Sequence, residues 1–380
     1  MAITNGRNLA ELASLINSDG KISAEAFSAE LAASIDPTMY DSASDVPFED
    51  AVKGTQVFVP SEGLLIKLTD SDWYSIDGST GAAAAAWVFQ GSVSGYTSGG
   101  LIPSFSNVID KFPFAADANA TDVGDLTVAR QNVTGQSSDV SGYTSGGNQT
   151  TIDKFPFATD GNAADVGDIG QSVGRAAGQS SAENGYVTYT WETAGAYPAP
   201  PTFASHIEKF PFAADANATD IGDLSVERTY TQGGNSSSVN GYTPGGNKPS
   251  PTSPDLTLNT IDKFPFASDG NATDVGDLTV GRANTTGQSS TESGYVSGGG
   301  NNTIDKFPFA TDANATDVGD LTAGKYGAAG QSSTQSGYSS GGRVPASVDT
   351  IEKFPFAADA NATDVGNLTQ SRGHVAGQQV

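Results

Sequence analysis

Six times along this chain the hexapeptide Ile-(Asp/Glu)-Lys-Phe-Pro-Phe returns, and it governs what the rest can fold into. The copies begin at Ile109, Ile152, Ile207, Ile261, Ile304 and Ile351, with Glu208 and Glu352 where the other copies have Asp. Their lysines are 43, 55, 54, 43 and 47 residues apart. Each copy runs into an acidic turn such as Asp117-Ala-Asn-Ala-Thr-Asp122, then Val123-Gly-Asp-Leu-Thr-Val-Ala-Arg130. A Gly-Gln-Ser-Ser segment (Gly135 to Ser138) and a Gly-Tyr-x-Ser-Gly-Gly segment (Gly142 to Gly147) follow. Self-similarity at this period marks a repeat architecture, in which neighbouring units bury the apolar faces that no unit can bury alone.

The punctuation within a unit predicts short strands. Phe155 and Phe157 are two residues apart and share one face of a strand, with Ile152 on the other. Leu126 and Val128 repeat that alternation, and the segment around Tyr143 is a third extended run closed by a glycine pair. Gly-Gln-Ser-Ser makes a fourth. Between them lie Gly, Asn, Asp and Thr, which build turns by reaching positive φ or by bonding their own backbone. Four strands per unit at this period is the pattern of a β-propeller blade, so the expected fold is all-β with six blades. The first repeat lacks its first strand, whereas Arg372-Gly-His-Val-Ala-Gly-Gln378 supplies one with no second strand after it. A ring closes by completing one blade from both ends of the chain, which predicts pairing of the last strand beside Tyr96.

With strands lettered A (Gly-Gln-Ser-Ser), B (Gly-Tyr-x-Ser-Gly-Gly), C (Ile-Asp-Lys-Phe) and D (Gly-Asp-Leu-Thr-Val-x-Arg), the unit resembles a kelch repeat over roughly residues 88 to 380. The glycine pair ends the second strand and an Arg precedes the next first strand, as in kelch. The kelch strand-D tryptophan is absent and Phe-Pro-Phe is not a kelch feature. In wording the repeat is similar to those of tail proteins of marine bacteriophages of the cyanophage type. That resemblance implies a virion structural protein of the tail or fibre, present in many copies or as a homo-oligomer on the particle surface.

Composition narrows the function. There are 43 acidic and 18 basic residues, a formal net charge of −25. Such a surface repels nucleic acid and anionic membrane, so neither is expected as a partner. No cysteine is present, which excludes disulfides, thiolate metal sites and cysteine catalysis. No apolar run is long enough to span a bilayer, and the Met1-Ala-Ile-Thr-Asn-Gly start is unlike a signal peptide.

Residues 1 to 87 do not repeat. Leu9, Leu12, Ala13, Leu15 and Ile16 fall at helical spacing, and residues 22 to 35 suggest a second helix ended by Asp36-Pro37. Residues 41 to 50 form an acidic linker. Val57-Phe-Val, Leu64-Leu-Ile-Lys-Leu and Trp73-Tyr-Ser-Ile are expected as three strands of a small β module. This α+β module is similar to pieces at the bases of phage fibre proteins, which implies attachment to other virion proteins.

Candidate sites sit where the repeats vary or where polar residues recur. The loop between strands B and C is short in blade two (Asn148 to Thr151), long in blade four (Asn247 to Thr260) and longest in blade three, between Val187 and His206. Tyr189, Trp191 and Tyr197 lie among prolines there and give stiff aromatic contact area for a host-surface glycan or protein. Lys248 in the blade-four loop adds a positive point. The same aromatic rings could instead cap their own blade. The acidic turns place oxygens at alternate positions (Asp117 and Asn119, Asp215 and Asn217, Asp269 and Asn271, Asp312 and Asn314, Asp359 and Asn361), the spacing that Ca²⁺ uses. Blade two breaks the pattern at Ala164 and no turn ends in a bidentate Glu, so a plain Asx-rich turn, with no cofactor, is the favoured reading. Arg130, Arg175, Arg228, Arg282 and Arg372, with Lys325 in blade five, recur at strand-D ends. They either line a mouth for an anionic glycan or pair with an Asp of their own or the next blade. No Asp-box, copper-ligand set, Gly-x-Ser-x-Gly or phosphate loop appears, so the expectation is a non-enzymatic protein that displays loops toward a host. A purely architectural capsid or tail-hub part, and an enzyme acting on polysaccharide, are the alternatives.

Overall fold

The structure is a computed structural model that describes residues 38–39, 56–59, 63–67, 73–75, 89–193, 202–249 and 256–380. Two compact units divide the chain, Met1–Trp87 and Val88–Val380. In the first, Thr38–Met39, Gln56–Val59, Gly63–Lys67 and Trp73–Ser75 form one sheet in chain order. Thr38–Met39 pairs in parallel with the second strand and the rest are antiparallel. The three expected strands are there, and a fourth comes from a stretch read as a break before a linker. The two expected helices lie outside the described residues.

The second unit is a six-bladed β-propeller, each blade a four-stranded antiparallel sheet. Strand A is Val133–Ser137, Ala177–Ser180, Asn235–Ser236, Thr285–Ser289 and Ala329–Ser332 in blades two to six. Strand B is Ser94–Ser98, Ser141–Gly146, Asn184–Thr193, Asn240–Pro244, Ser293–Gly298 and Ser336–Ser340 in blades one to six. Strand C holds the hexapeptide, from Val108–Pro113 in blade one to Thr350–Pro355 in blade six. Strand D follows, from Thr121–Asp125 in blade one to Thr363–Asn367 in blade six. Blade one takes its strand A from Ala376–Gln379, which pairs with Ser94–Ser98 so that Gln378 faces Tyr96. The ring is thus closed by strands from distant parts of the chain.

Both faces of each blade are buried against neighbouring blades. Ile152 and Phe155 point to opposite faces, and both faces are interior: Phe155 and Phe157 pack with Tyr96 and Ile109 of blade one, Ile152 with Val187 and Phe210 of blade three. Each strand-B tyrosine is covered by the Phe-Pro-Phe pair of the next blade. Tyr143 lies 5.5 Å from Phe210 and 4.8 Å from Phe212, ring centre to ring centre, and Tyr338 closes the circle on Phe112 and Phe114. Burying a phenylalanine stabilises by about 1.5–3 kcal/mol, so these stacks are the main apolar cohesion of the ring.

Along the axis the six strands A are in backbone contact. A Cβ added to Gly135, Gly178, Gly234, Gly287, Gly330 or Gly377 would come within 2.0 to 2.3 Å of the carbonyl oxygen of the equivalent glycine one blade back. Only glycine permits that approach. The next residue of strand A reaches one blade forward. Gln136 donates to Tyr186 O, Gln179 to Tyr242 O, Gln288 to Tyr338 O, Gln331 to Tyr96 O and Gln378 to Tyr143 O. In blade four, Asn235 does the same to Tyr295 O. The Gly-Gln-Ser-Ser motif is therefore a rule for closing an axis, glycine for contact and glutamine for the cross-blade bond.

Candidate functional site

The end of the ring formed by the turns between strands C and D repeats one device six times. Asp117, Asp160, Asp215, Asp269, Asp312 and Asp359 each pair with the hexapeptide lysine of the preceding blade, at 2.5 to 3.2 Å. Two residues on, Asn119, Asn162, Asn217, Asn271, Asn314 and Asn361 accept the backbone N–H of the preceding strand D through Oδ1. The residues weighed as calcium ligands, Asp117, Asn119, Asp215, Asn217, Asp269, Asn271, Asp312, Asn314, Asp359 and Asn361, are the Asp and Asn of this device. Their oxygens are aimed at N–H donors of a neighbouring blade instead of converging on a point. Among the described residues no group of three or more His, Asp or Glu side chains could hold a metal ion. Blade two keeps the device without the third oxygen, because only the Asp and the Asn are used.

The strand-D cations are interior as well. Arg130–Asp153 (3.2 Å), Arg228–Asp262 (3.0 Å), Arg282–Asp305 (2.7 Å), Lys325–Glu352 (2.6 Å) and Arg372–Asp110 (2.9 Å) join each blade to the hexapeptide acid of the next. Burial pushes all five cations below their ordinary pKa. The same carboxylates accept the N–H and hydroxyl of a residue just after strand D, as Asp153 does from Thr127. Removing one member of such a pair leaves a buried charge, at a cost of about 3–5 kcal/mol.

One junction departs from this. Strand D of blade two is longer, Ala164–Val173, and its Arg175 leaves the interior. Glu208 of blade three, 4% exposed, is served instead by Gly170 N–H (2.8 Å) and by the hydroxyl of Tyr189 (2.5 Å). A Cβ at Gly170 would lie 2.4 Å from the Glu208 carboxylate, so glycine makes room for the longer acid. Tyr189, expected to contact a ligand, is 2% exposed, and burial followed by the Glu208 bond drives its pKa strongly up. It is part of the blade, and its sequence position within the long stretch between strands B and C disguised that. Trp191 lies on the same strand two residues on. Tyr197 lies outside the described residues. Lys248 is exposed, in a short ribbon of Asn247–Lys248 with Leu256–Thr257.

The opposite end of the ring carries all the variable loops, and at its centre is a constellation the sequence reading missed. Asn132, Arg175, Tyr230, Asn284, Gly327 and His374 each precede a strand A, and all six have φ between 53° and 63°. Their backbones form a closed circle. Asn132 N–H donates to His374 O, Arg175 to Asn132 O, Thr231 to Arg175 O, Asn284 to Tyr230 O, Gly327 to Asn284 O and His374 to Gly327 O. Side chains of this circle meet over the axis. Arg175 stacks on Tyr230 at 4.3 Å and donates to Asn132 Oδ1 at 3.0 Å. His374 lies 5.8 Å from Tyr326, and burial, with Arg175 and Arg343 nearby, lowers its pKa to about 4. Arg343 comes from a second ribbon, Arg343–Val344 with Ala346–Ser347, in the B-to-C loop of blade six. The missed signal was residue type. Asn, the non-glycine residue most at ease at positive φ, fills two of six aligned places where Arg, Tyr and His fill three others.

At the other end Gln90 donates to Ser289 O and Gly91 N–H to Ser332 O, so the segment at 89–91 lies across strands A. Between the two ends the strand-A glycines of neighbouring blades meet backbone to backbone. The buried carboxylates of the ring (Asp110, Asp153, Glu208, Asp262, Asp305 and Glu352) lie between blades, each bonded to its neighbours.

Known proteins agree with the fold alone. No protein-family model matches the chain, and no curated protein matches it. Among solved structures it is similar to the one titled "Structure of YjhT", with a TM-score of 0.54 at 12% identity, covering 66% of this chain and 88% of that one.

Proposed function

We propose that this protein is a non-enzymatic recognition propeller of a bacteriophage particle, part of the tail or fibre, attached through the 1–87 unit and presenting its loop-bearing end to a host surface. The observation that carries this reading is the asymmetry of the ring. The end with the C-to-D turns repeats one clasp at every blade junction. The opposite end holds the extended blade-three hairpin, the ribbons of blades four and six, and Lys248. Scaffolds that recognise partners carry variation on loops held by a rigid frame. The virion setting rests on the wording of the repeat and on a surface charge that resists non-specific adhesion.

The test is adsorption. Trp191→Ala with Tyr197→Ala is expected to weaken attachment to host cells several-fold while the melting temperature and particle assembly stay unchanged; Tyr189 is left intact because it is structural. Substitutions in the short blade-two loop, Asn148 to Thr151, are the control. Normal adsorption by the double variant would overturn the receptor role and favour an architectural part.

A further inference from the structure

We propose that the groove between blades four and five on the loop-bearing end is a binding site for an uncharged saccharide. This gives the recognition reading a ligand class and rests on that reading for its biological use alone, since binding itself is measured on the isolated chain. The groove, about 390 Å³, is lined by Tyr326, Asn284, Asn247 and Thr257 among others. That volume lies in the range of ligand clefts, roughly 300–1,000 Å³. One wall is the blade-four ribbon of Asn247–Lys248 with Leu256–Thr257, and another is the turn after strand B of blade five, at Gly299 and Gly300.

The repeat itself shows what sets this place apart. Asn148 of blade two and Gly300 of blade five each stand four residues before the hexapeptide isoleucine, at positive φ. The Asn148 side chain packs on the segment leading to blade three, where a Cβ at Gly174 would lie 2.4 Å from its Oδ1; around a Cβ at Gly300 nothing lies within 4 Å. Asn132 and Asn284 hold equivalent places in the backbone circle, with φ of 60° and 53°. Arg175 answers Asn132 Oδ1, whereas Gly327 follows Asn284 round the circle, and Asn284 Oδ1 has no partner among the described residues. At blade five, glycine thus replaces both the amide and the guanidinium that blade two places here. The remaining chemistry is that of a polyol site. Primary amides carry a donor and an acceptor, and so do sugar hydroxyls, which matches Asn247 and Asn284. Tyr326 adds an aromatic wall for the apolar face of a sugar ring. Arg282, the one charged residue among those described in the lining, is buried and committed to Asp305 at 2.7 Å, so the groove brings no net charge. The N–H groups of Gly299 and Gly300 both go to Lys325 O, which leaves the turn no backbone donor for a peptide.

The experiment is saturation-transfer NMR on the full chain with the methyl glycosides of glucose, galactose, mannose, fucose and N-acetylglucosamine. Glucuronate serves as the charged counterpart and trialanine as the peptide. At least one neutral glycoside is expected to receive saturation, and glucuronate and trialanine none. Two variants borrow residues that the repeat already uses at these places: Gly300→Asn, as at 148, fills the groove, and Asn284→Gly, as at 327, removes the amide. The first should abolish the neutral signal and the second weaken it several-fold, with the melting temperature unchanged. Asn148→Gly in blade two is the control and should leave the signal intact. Trp191→Ala with Tyr197→Ala should keep it too, so the receptor role and this site can fail separately. The proposal is overturned if no neutral glycoside binds, if either groove variant, folded, binds as the parent does, or if glucuronate or trialanine binds equally well.

Discussion

At the residue scale, the departures from the repeat explain one another. Four blade junctions use Arg with Asp, and one uses Lys325 with Glu352. A shorter cation and a longer acid span the same gap. The other Glu, Glu208, is the one whose arginine has moved to the axis, and a tyrosine hydroxyl and a glycine N–H take its place. From sequence the two Glu residues look like neutral variation, because the partner of each lies in another blade. Glu352→Gln alone should therefore destabilise by about 3–5 kcal/mol, through the buried Lys325 ammonium it strands. Lys325→Arg with Glu352→Asp rebuilds the pair used elsewhere and should recover most of that loss. Urea unfolding of the single and double variants checks it, and additive losses would contradict length matching.

At the element scale, the C-to-D turn shows what sequence could and could not convey. Strand alternation was legible because Phe-Pro-Phe and Ile sit at period two, and both faces proved interior. Oxygen spacing in Asp-x-Asn was legible too, and the plain Asx turn was the favoured reading, but the partners of those oxygens were not legible. Spacing alone does not distinguish ligands converging on a cation from acceptors aimed at N–H groups 37 to 61 residues away in sequence or farther. The loop-bearing end hid its circle for a related reason, since the six residues whose backbones are linked round it are separated by whole repeats. With the turn oxygens already bonded, a chelator should leave the melting temperature unchanged and added Ca²⁺ should not raise it. A calcium-dependent rise would restore a metal role, because a ligand specific to the folded state stabilises by mass action.

At the scale of the molecule, the Val88–Val380 unit is a circle of six mutually dependent junctions. Each carries an aromatic stack and an outer Lys–Asp clasp, and five carry a buried ion pair. The outer clasps are solvent-exposed and contribute little individually, about 0–1 kcal/mol. The interior terms dominate, and they hold only if the ring is closed. Closure was the part most legible in the sequence, because a missing first strand and a surplus last strand can be counted. The segment from Arg372 to Val380 supplies the buried partner of Asp110, strand A of blade one, the Gln378 bond to Tyr143 O and one of the six axial glycines. The most direct test is the thermal melt of a chain lacking residues 372–380. Stranding Asp110 alone removes about 3–5 kcal/mol, and at this size each kcal/mol is worth roughly 2–4 °C. The account predicts a fall of about 10 °C or more, or loss of the cooperative transition; a truncated chain that melts at the temperature of the full one would contradict it.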